Sequence, residues 1–284
     1  MPGARSPGIA YPGSIGGNQN ALMHDTPDAR TPLLELRDVS KSFGPVFAVR
    51  NVDLRIHAGD IVALVGDNGA GKSTLIKLIS GVHAPDGGEI YVRGRPVQHW
   101  DTAAARRGGI ETVYQDKALA EQQTVMRNLF MGREVTGPLG LIRLRRERAE
   151  AEALMRRIGF TSQLISPDSI VSTLSGGERE GVAIARAMFF KAELIILDEP
   201  TQALSLTQAQ VVLNFVRRAK SEGSAVILIT HNVYHAYEVA DRIAILDRGQ
   251  VVGEFRREDI DAVQLVQFMQ TVARQGTPTA PGQV

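Results

Sequence analysis

The sequence predicts an α/β fold with a mainly parallel core sheet. Three short, continuous apolar runs rich in β-branched residues, at 61–65, 194–197 and 225–229, are typical of strands that are covered on both faces. Helical patterns lie between these runs, and the alternation of strand with helix indicates an α/β architecture. A Gly-rich loop also joins the first run to a helical segment.

Two further β features flank this core. Segments 34–36 and 52–56 alternate apolar and polar residues, which predicts half-buried antiparallel strands in a small N-terminal β layer. Segments 243–246 and 251–255, joined by a turn at 247–250, predict a hairpin that closes the main sheet.

A helical subdomain is predicted as an insertion at about 117–173, where the apolar spacing becomes helical. The pattern is clearest at 143–158, which has one apolar face and Gly159 directly behind it. After the insertion, Ser205 and Gln208 have the spacing of a capping box and predict the start of another helix.

Composition excludes several classes of protein. At 284 residues and 43% hydrophobic, the chain is long enough for one large domain with an inserted subdomain. A net charge of +1 gives no reason to expect a nucleic-acid partner. The absence of cysteine excludes disulfides and thiolate metal sites, and favours the cytoplasm. No apolar run is long enough to span a bilayer, so we expect membrane contact through a partner.

Both ends of the chain have the composition of tails. Residues 1–32 are rich in Pro, Gly, Ser and Asn without an apolar period, and we expect them to be disordered. We expect a second tail at 269–284, whose last residues share this composition. The folded domain is therefore predicted at 33–268.

A phosphate-binding loop is the strongest motif in the chain. Its glycines let backbone N–H groups turn toward an anion, and the following helix adds the positive end of its dipole. Lys72 is predicted to reach the β and γ phosphates of ATP or GTP, Ser73 to offer its hydroxyl to magnesium, and Thr74 to support the α phosphate. An incidental Gly-rich turn would not need Lys72 and Ser73 together. The loop consists of Gly66, Asp67, Asn68, Gly69, Ala70, Gly71, Lys72, Ser73 and Thr74.

Two acidic residues follow the second apolar run. Asp198 ends a strand, where a carboxylate is costly unless it is paired, and a magnesium ion held across from Ser73 would pair with it. The side chain of Glu199 diverges from that of Asp198, so we expect it to face the γ phosphate and polarise the attacking water. The alternative is that both residues merely cap the next element before Pro200.

A second helix start carries a glycine pair. The outer two residues of the motif have the spacing of a capping box, and the two glycines between them leave backbone N–H groups open to an anion. An ordinary cap and an anion site both predict a free helix N-terminus. The motif follows Leu174 and consists of Ser175, Gly176, Gly177 and Glu178.

Taken in order, these motifs resemble those of the ATP-binding subunits of ABC transporters, which have a P-loop NTPase fold. Residues 66–74 are similar to the Walker A motif, 174–178 to the signature motif and 194–198 to the Walker B motif. Gln115 and His231 stand at the positions of the Q-loop and the H-loop, although neither would indicate a function alone. Unrelated P-loop proteins lack the signature motif, so the set is specific, and it covers nearly all of the folded domain.

The resemblance implies a shared active site and ATP with Mg²⁺ as ligands. In this family two subunits meet head to tail, and each ATP lies between the Walker A loop of one and the signature motif of the other. The signature residues Ser175, Gly176, Gly177 and Glu178 would then bind ATP in trans.

The resemblance also implies roles for residues that bind the same subunit's nucleotide. Phe43 falls where an aromatic ring stacks on adenine. Gln115 would contact magnesium or water, as a catalytic residue, and relay to a permease docked on the helical subdomain. His231 would contact the γ phosphate and would be a catalytic residue, as would Glu199. One departure is that Ser205 replaces the aspartate that usually ends the following interface loop, which calls communication between the two sites into question.

The resemblance extends to a subgroup, the ATPases of bacterial monosaccharide importers for ribose, xylose or fructose. Segments 109–116, 128–134 and 230–233 are similar to theirs. The single copy of the motifs implies a homodimer. Its partners would be integral-membrane permease subunits at the cytoplasmic face of the inner membrane and, indirectly, a periplasmic sugar-binding protein.

Two alternatives to this interpretation stay open. One is an ABC transporter for another cargo, including an exporter. The other is a soluble ABC protein that acts on ribosomes or DNA, although the paired domains or long basic insert usual in that class are not found in this sequence.

Overall fold

The computed structural model describes residues 31–114, 119–160 and 165–275. In these residues the strands are β1 (Leu34–Phe43), β2 (Val46–Ile56), β3 (Ile61–Val65), β4 (Gly87–Val92), β5 (Arg95–Pro96), β6 (Ile110–Val113), β7 (Leu194–Asp198), β8 (Ala225–Thr230), β9 (Arg242–Asp247) and β10 (Gln250–Arg256). The α-helices are α1 (Lys72–Ile79), α2 (Thr102–Arg107), α3 (Val125–Phe130), α4 (Leu144–Ile158), α5 (Gly176–Phe189), α6 (Leu206–Ser221), α7 (Val233–Val239) and α8 (Ala262–Gln275).

The main sheet has six strands in the order β10-β9-β3-β8-β7-β6. Its six strands form five pairings. Four of these pairings are parallel, and the fifth is the antiparallel β9–β10 hairpin at one edge of the sheet. A separate antiparallel sheet has the order β2-β1-β4-β5. The predicted α/β fold with an N-terminal antiparallel layer and a closing hairpin is confirmed.

Both faces of the main sheet are buried, which explains the continuous apolar runs in its strands. Along β3, Ile61, Ala63 and Val65 lie in the same buried cluster as the apolar residues of α3 to α6. Val62 and Leu64 lie in a second cluster with α1 and the antiparallel sheet. Successive side chains of a strand point to opposite faces, so an apolar residue is needed at every position.

The helix ends agree with the local signals in the sequence. Helix α4 ends at Gly159, whose φ of 89° is the left-handed conformation that favours glycine at a helix end. Ser205 caps α6 and forms a complete capping box with Gln208. No helix in the described ranges is both long and apolar enough to cross a membrane.

The last helix corrects one predicted boundary. Helix α8 continues through Gln275, so the C-terminal tail that we expected from residue 269 was placed too early. Val272 lies in the part of α8 beyond that boundary and is buried. One turn before Val272, the ring of Phe268 meets Phe255 on β10, with ring centroids 5.1 Å apart. Residues 1–30 and 276–284, which contain most of both predicted tails, lie outside the described residues.

Candidate nucleotide-binding site

Three loops of the predicted site leave the main sheet at the same edge. Strand β8 lies between β3 and β7, and all three strands are parallel. In the register of these strands, Val65 pairs with Thr230, and Asp198 pairs with Ile229. The phosphate loop, Glu199 and His231 therefore begin side by side at the carboxyl ends of the strands, where open α/β sheets bind ligands.

The phosphate loop is shaped by two glycines that cannot carry a side chain. A Cβ on Gly66 would lie 2.2 Å from the carbonyl oxygen of Leu246, and one on Gly71 would lie 2.3 Å from that of Ala48. Gly71 also has a φ of 103° and precedes α1 without any side-chain cap on the helix. The N-terminus of α1 is therefore open for an anion such as a phosphate.

Lys72 is held inside this loop. Its side chain is buried, at 8% exposed, and its Nζ donates to the carbonyl oxygens of Gly66 at 2.5 Å and Asp67 at 3.0 Å. The positive charge therefore lies within the loop where phosphates would be bound. The rim of the loop faces solvent at Asp67, Asn68, Gly69 and Ser73, whereas Thr74 is half-buried and Ala70 is buried.

Asp198 has the electrostatics of a cation ligand. Burial raises the pKa of its carboxyl, and the charge of Glu199 raises it further, against the opposing effect of Lys72 and Lys77. A cation next to Asp198 would relieve this cost.

The residues present fit a magnesium ion. Ser73 and Asp198 supply a hydroxyl and a carboxylate, the oxygen ligands that Mg²⁺ prefers. The described residues contain no cluster of three or more His, Cys, Asp or Glu side chains that could form a complete protein cage. Mg²⁺ usually takes one or two carboxylates together with substrate phosphates, so a smaller donor set suffices. Gln115, the other predicted ligand, lies outside the described residues.

Glu199 and His231 contact each other directly. His231 Nδ1 lies 2.9 Å from Glu199 Oε2. The backbone of Glu199 has a φ of 51°, and its N–H donates to the carbonyl oxygen of Ile229 at 3.0 Å. A non-glycine residue in this conformation is strained and is characteristic of functional sites, where the surrounding structure holds it in place. The two residues that we predicted separately thus form one unit.

A second contact joins the segments that follow β7 and β8, and it was not predicted from the sequence. Thr201, which is buried, places its Oγ1 3.0 Å from Nδ1 of His235 on α7. Burial lowers the pKa of His235, which therefore favours the neutral imidazole. The only sequence signal would have been spacing, since His235 lies four residues after His231 and Thr201 lies two residues after Glu199.

The signature motif forms the N-terminus of α5. Ser175 Oγ accepts from the N–H of Glu178 at 3.3 Å, and Glu178 Oε2 accepts from the N–H of Ser175 at 2.7 Å. A Cβ on Gly177 would lie 2.9 Å from the carbonyl oxygen of Gln208, so α5 approaches α6 closely here. The first turn of α5 is therefore held by α6 while the half-buried Gly176 lies at its end.

The structure does not bring the signature motif to the phosphate loop of the same chain. Leu174 belongs to the buried cluster on one face of the main sheet, and Ala70 belongs to the cluster on the other face. No hydrogen bond links 174–178 with 66–74 in the parts of the chain that the structure describes. The two motifs of one chain thus lie on opposite sides of the main sheet.

Phe43 lies at the end of β1, on a hairpin that borders the phosphate loop. The ring is 48% exposed and meets His83 edge-on, with ring centroids 5.4 Å apart. The same hairpin contains Ala48, whose carbonyl oxygen forces residue 71 to be glycine. An exposed aromatic face next to a phosphate site is suited to stacking on a nucleotide base.

A family model described as ABC transporter matches residues 49–202 of this chain. The chain is 44% identical to the xylose/arabinose import ATP-binding protein XylG of Sulfolobus acidocaldarius, over 85% of this chain and 95% of that protein. It is 39% identical to the fructose import ATP-binding protein FrcA of Rhizobium meliloti, over 85% of this chain and 95% of that protein.

Another relative is about twice as long as the matched region. The chain is 41% identical to the ribose import ATP-binding protein RbsA 3 of Rubrobacter xylanophilus, over 84% of this chain but only 47% of that protein. The chain thus spans about half the length of this relative, and nearly the whole length of the other two.

Solved structures of ATP-binding cassettes are also similar to this chain. An ATP-binding cassette of an ABC transporter superposes with a TM-score of 0.75 at 25% identity, over 85% of this chain and 98% of that one. A dimeric cassette in a post-hydrolysis state, bound to ADP and Pi, superposes with a TM-score of 0.66 at 25% identity, over 80% of this chain and all of that one. The chain therefore belongs to the ABC transporter family, as a nucleotide-binding subunit whose hydrolysis of ATP is coupled to transport.

Proposed function

We propose that this chain energises the import of a monosaccharide such as xylose, ribose or fructose. The observation that carries the proposal is the 44% identity to a xylose/arabinose import ATP-binding protein over 95% of that protein's length. Relatives named for fructose and ribose import support the same substrate class. None of the site residues would contact a sugar, because recognition of the cargo belongs to partner chains.

The residues of the phosphate loop bind and orient the nucleotide in this proposal. The open N-terminus of α1 and the buried charge of Lys72 hold the phosphates, with support from Thr74, and Phe43 stacks on the adenine. Ser73, Asp198 and Gln115 would hold Mg²⁺, which when bound neutralises charge on the phosphates.

Glu199 acts as the general base that polarises the attacking water. Its carboxylate is held by His231, at 2.9 Å, and by the strained backbone at the end of β7. His231 has a second role as a contact for the γ phosphate. Gln115 completes the catalytic set and relays the state of the site to a permease.

The chain works as a homodimer with two shared sites. Ser175, Gly176, Gly177 and Glu178 of one subunit bind the nucleotide held by the phosphate loop of the other. The separation of the two motifs onto opposite faces of the sheet supports this arrangement.

The ATPase domain begins at residue 33, and the helical subdomain at about 117–173 contacts integral-membrane permease subunits at the cytoplasmic face of the inner membrane. A periplasmic sugar-binding protein takes part indirectly, and no nucleic acid does.

Capture of the intact transporter tests this function. The Glu199→Gln chain, loaded with ATP, is purified from gently solubilised membranes of its own host, and its partners are identified by mass spectrometry. A polytopic permease together with a sugar-binding protein is the expected result, and the ligand of the binding protein names the cargo. A matched sample of Glu199→Gln that also carries Ser175→Arg controls for contaminants.

Different partners would contradict the proposal in different ways. A permease accompanied by a binding protein for another class of solute would leave the transporter assignment and overturn the sugar. Ribosomal or DNA-repair proteins without a permease would overturn the transport role that we propose for this chain.

A further inference from the structure

Two parallel contacts join the segment after β7 to the segment after β8. In the outer contact, Glu199 Oε2 lies 2.9 Å from Nδ1 of His231, whose side chain is 54% exposed. In the inner contact, Thr201 Oγ1 lies 3.0 Å from Nδ1 of His235. Thr201 is buried and His235 is half-buried. The catalytic pair is thus accompanied by a second contact that is better shielded from solvent.

Helix α7, which contains His235, is attached to α6 by a carboxylate. Oε1 of Glu238 on α7 accepts from Nε2 of Gln210 at 2.8 Å and from Nη2 of Arg217 at 2.6 Å, and both donors lie on α6. Helix α6 begins directly after the interface loop at 200–205. This loop is therefore connected to α7 twice, through α6 at its end and through the inner contact near its start.

The segment around Thr201 is strained on both sides. Glu199 has a φ of 51° and Ala203 has a φ of 56°, in the left-handed region that non-glycine residues rarely adopt. Such residues persist only where the surrounding structure holds them. The contact of Thr201 with His235 connects this strained segment to a helix. Its loss would therefore remove one of the restraints on Glu199.

The inner contact needs no charge. Burial lowers the pKa of His235, against the opposing effect of Glu238, and the charge of His231 lowers it further. A neutral imidazole nitrogen either donates or accepts, and a threonine hydroxyl can do both, so the contact forms with either tautomer. His235 thus holds Thr201 without adding a positive charge near His231.

We propose that His235 is a positioning residue for ATP hydrolysis, which holds Thr201 against α7 and thereby keeps the catalytic pair in contact. The inference rests on the roles of Glu199 and His231 in the proposed function and adds a residue that acts through them. Without the inner contact, the interface loop can shift relative to α7. A displacement of about 1 Å in a catalytic site can slow a reaction about 100-fold, so a small shift of Glu199 suffices.

Steady-state ATPase kinetics of the full-length chain test this role. His235→Ala and Thr201→Val each remove one side of the inner contact and should lower kcat about tenfold or more. The KM for ATP and the binding of ATP to the monomer should be unchanged, because the phosphate loop is intact. The split between kcat and KM distinguishes positioning from a loss of nucleotide binding.

Two further variants serve as controls. His235→Asn places an amide atom near the position of Nδ1, so it can contact Thr201 and should restore most of kcat. His99→Ala removes an exposed histidine on the segment before α2 and should have native kinetics. Urea unfolding of every variant accompanies the kinetics, so that a general loss of stability is recognised.

A double-mutant cycle shows whether His235 acts through the catalytic pair. His231→Ala already removes the outer contact. Adding His235→Ala to it should therefore slow hydrolysis much less than His235→Ala does in the native chain.

Three results would overturn the proposal. Thr201→Val retains the native kcat, or His235→Ala raises KM at the native kcat, which would assign the residue to nucleotide binding. In the third, the losses from His231→Ala and His235→Ala multiply in the double variant, which would show independent action.

Failure of the proposed function gives a different result. If Glu199→Gln hydrolyses ATP at the native rate, the catalytic pair is wrongly assigned and the positioning role is lost with it. If Glu199→Gln is slow while His235→Ala is as fast as the native chain, only the positioning role is wrong.

Discussion

Two adjacent carboxylates, Asp198 and Glu199, lie at the end of β7. Asp198 is partly buried, and its neighbour Glu199 increases the cost of its charge, while Lys72 reduces it. The fold thus keeps a destabilised carboxylate at the point where a cation would be bound.

Replacing Asp198 with Asn should stabilise the nucleotide-free chain at neutral pH. The pKa of Asp198 is raised in the folded chain. Its favourable contribution to the free energy of unfolding is therefore present below the pKa of the unfolded chain. That contribution is lost as the pH rises through the pKa of Asp198 in the folded chain. The variant stays neutral, so its advantage in free energy of unfolding should appear at neutral pH and disappear in acid.

Urea unfolding of both chains at neutral and acidic pH measures this difference. Stabilisation by Mg²⁺ and ATP, measured separately, should be lost in the variant. An Asp198→Asn chain that is less stable than the native one at neutral pH would contradict the electrostatic argument.

Replacing Glu199 with Gln should slow hydrolysis by about 100-fold or more, because the group that polarises water loses its charge. The amide keeps the shape of the side chain and can still contact His231, so ATP binding should be retained. Light scattering with ATP should then show a long-lived dimer. His231→Ala is the matched comparison, since it removes the contact at 2.9 Å while leaving the carboxylate in place.

At the scale of elements, the interface loop after β7 ends in a helix cap. Ser205 occupies the position where the family usually has aspartate, and its Oγ accepts from the N–H of Gln208 at 3.3 Å. Serine and aspartate are both good N-caps, so the start of α6 is preserved despite the departure from the family pattern. The difference between them is the negative charge.

Substitutions at Ser205 can separate the cap from the charge. Ser205→Ala should cost about 1 kcal/mol in free energy of unfolding through loss of the cap, whereas Ser205→Asp should change stability by only a few tenths of that. Urea unfolding measures both values. If Ser205→Asp alters the cooperativity of ATP hydrolysis without altering stability, the charge acts between the two sites of the dimer. Equal destabilisation by both substitutions would show that Ser205 does not act as the cap.

The sequence predicted the elements better than the contacts between them. Seven of the ten described strands and both capping boxes depend on neighbouring residues and are therefore visible as local patterns, whereas β4, β5 and β6 were not predicted. The contact between Glu199 and His231 joins residues 32 positions apart and depends on the parallel register of β7 and β8. The end of α8 was missed because the Pro- and Gly-rich residues behind it outweighed the burial of Val272, which only tertiary packing reveals.

For the whole molecule, the main sheet separates the phosphate loop from the signature motif. The phosphate loop packs with the buried cluster on one face, and Leu174 of the signature motif packs with the cluster on the other. A head-to-tail dimer with two-fold symmetry would contain two equivalent sites, each with a phosphate loop from one chain and a signature motif from the other. The shared-site proposal therefore makes a prediction that concerns mixed dimers.

Lys72→Ala and Ser175→Arg should each abolish hydrolysis in a pure sample and restore one another when mixed. Lys72→Ala removes a charge that binds the β and γ phosphates, so it inactivates the site of its own chain. Ser175→Arg blocks the site of the partner, although its monomer should bind ATP normally. In a mixed dimer both defects fall in one site, and the other site is intact. Random mixing should recover roughly a quarter of the native ATPase rate.

The mixing experiment needs a control for the exchange of subunits. Light scattering must show that the two variants form dimers when mixed, and a mixture of Lys72→Ala with itself under a second tag gives the background rate. Dimers that form without any recovered activity would contradict the trans arrangement. Loss of ATP binding by the Ser175→Arg monomer would instead place the signature motif in the same chain's site, against the separation of the two motifs by the sheet.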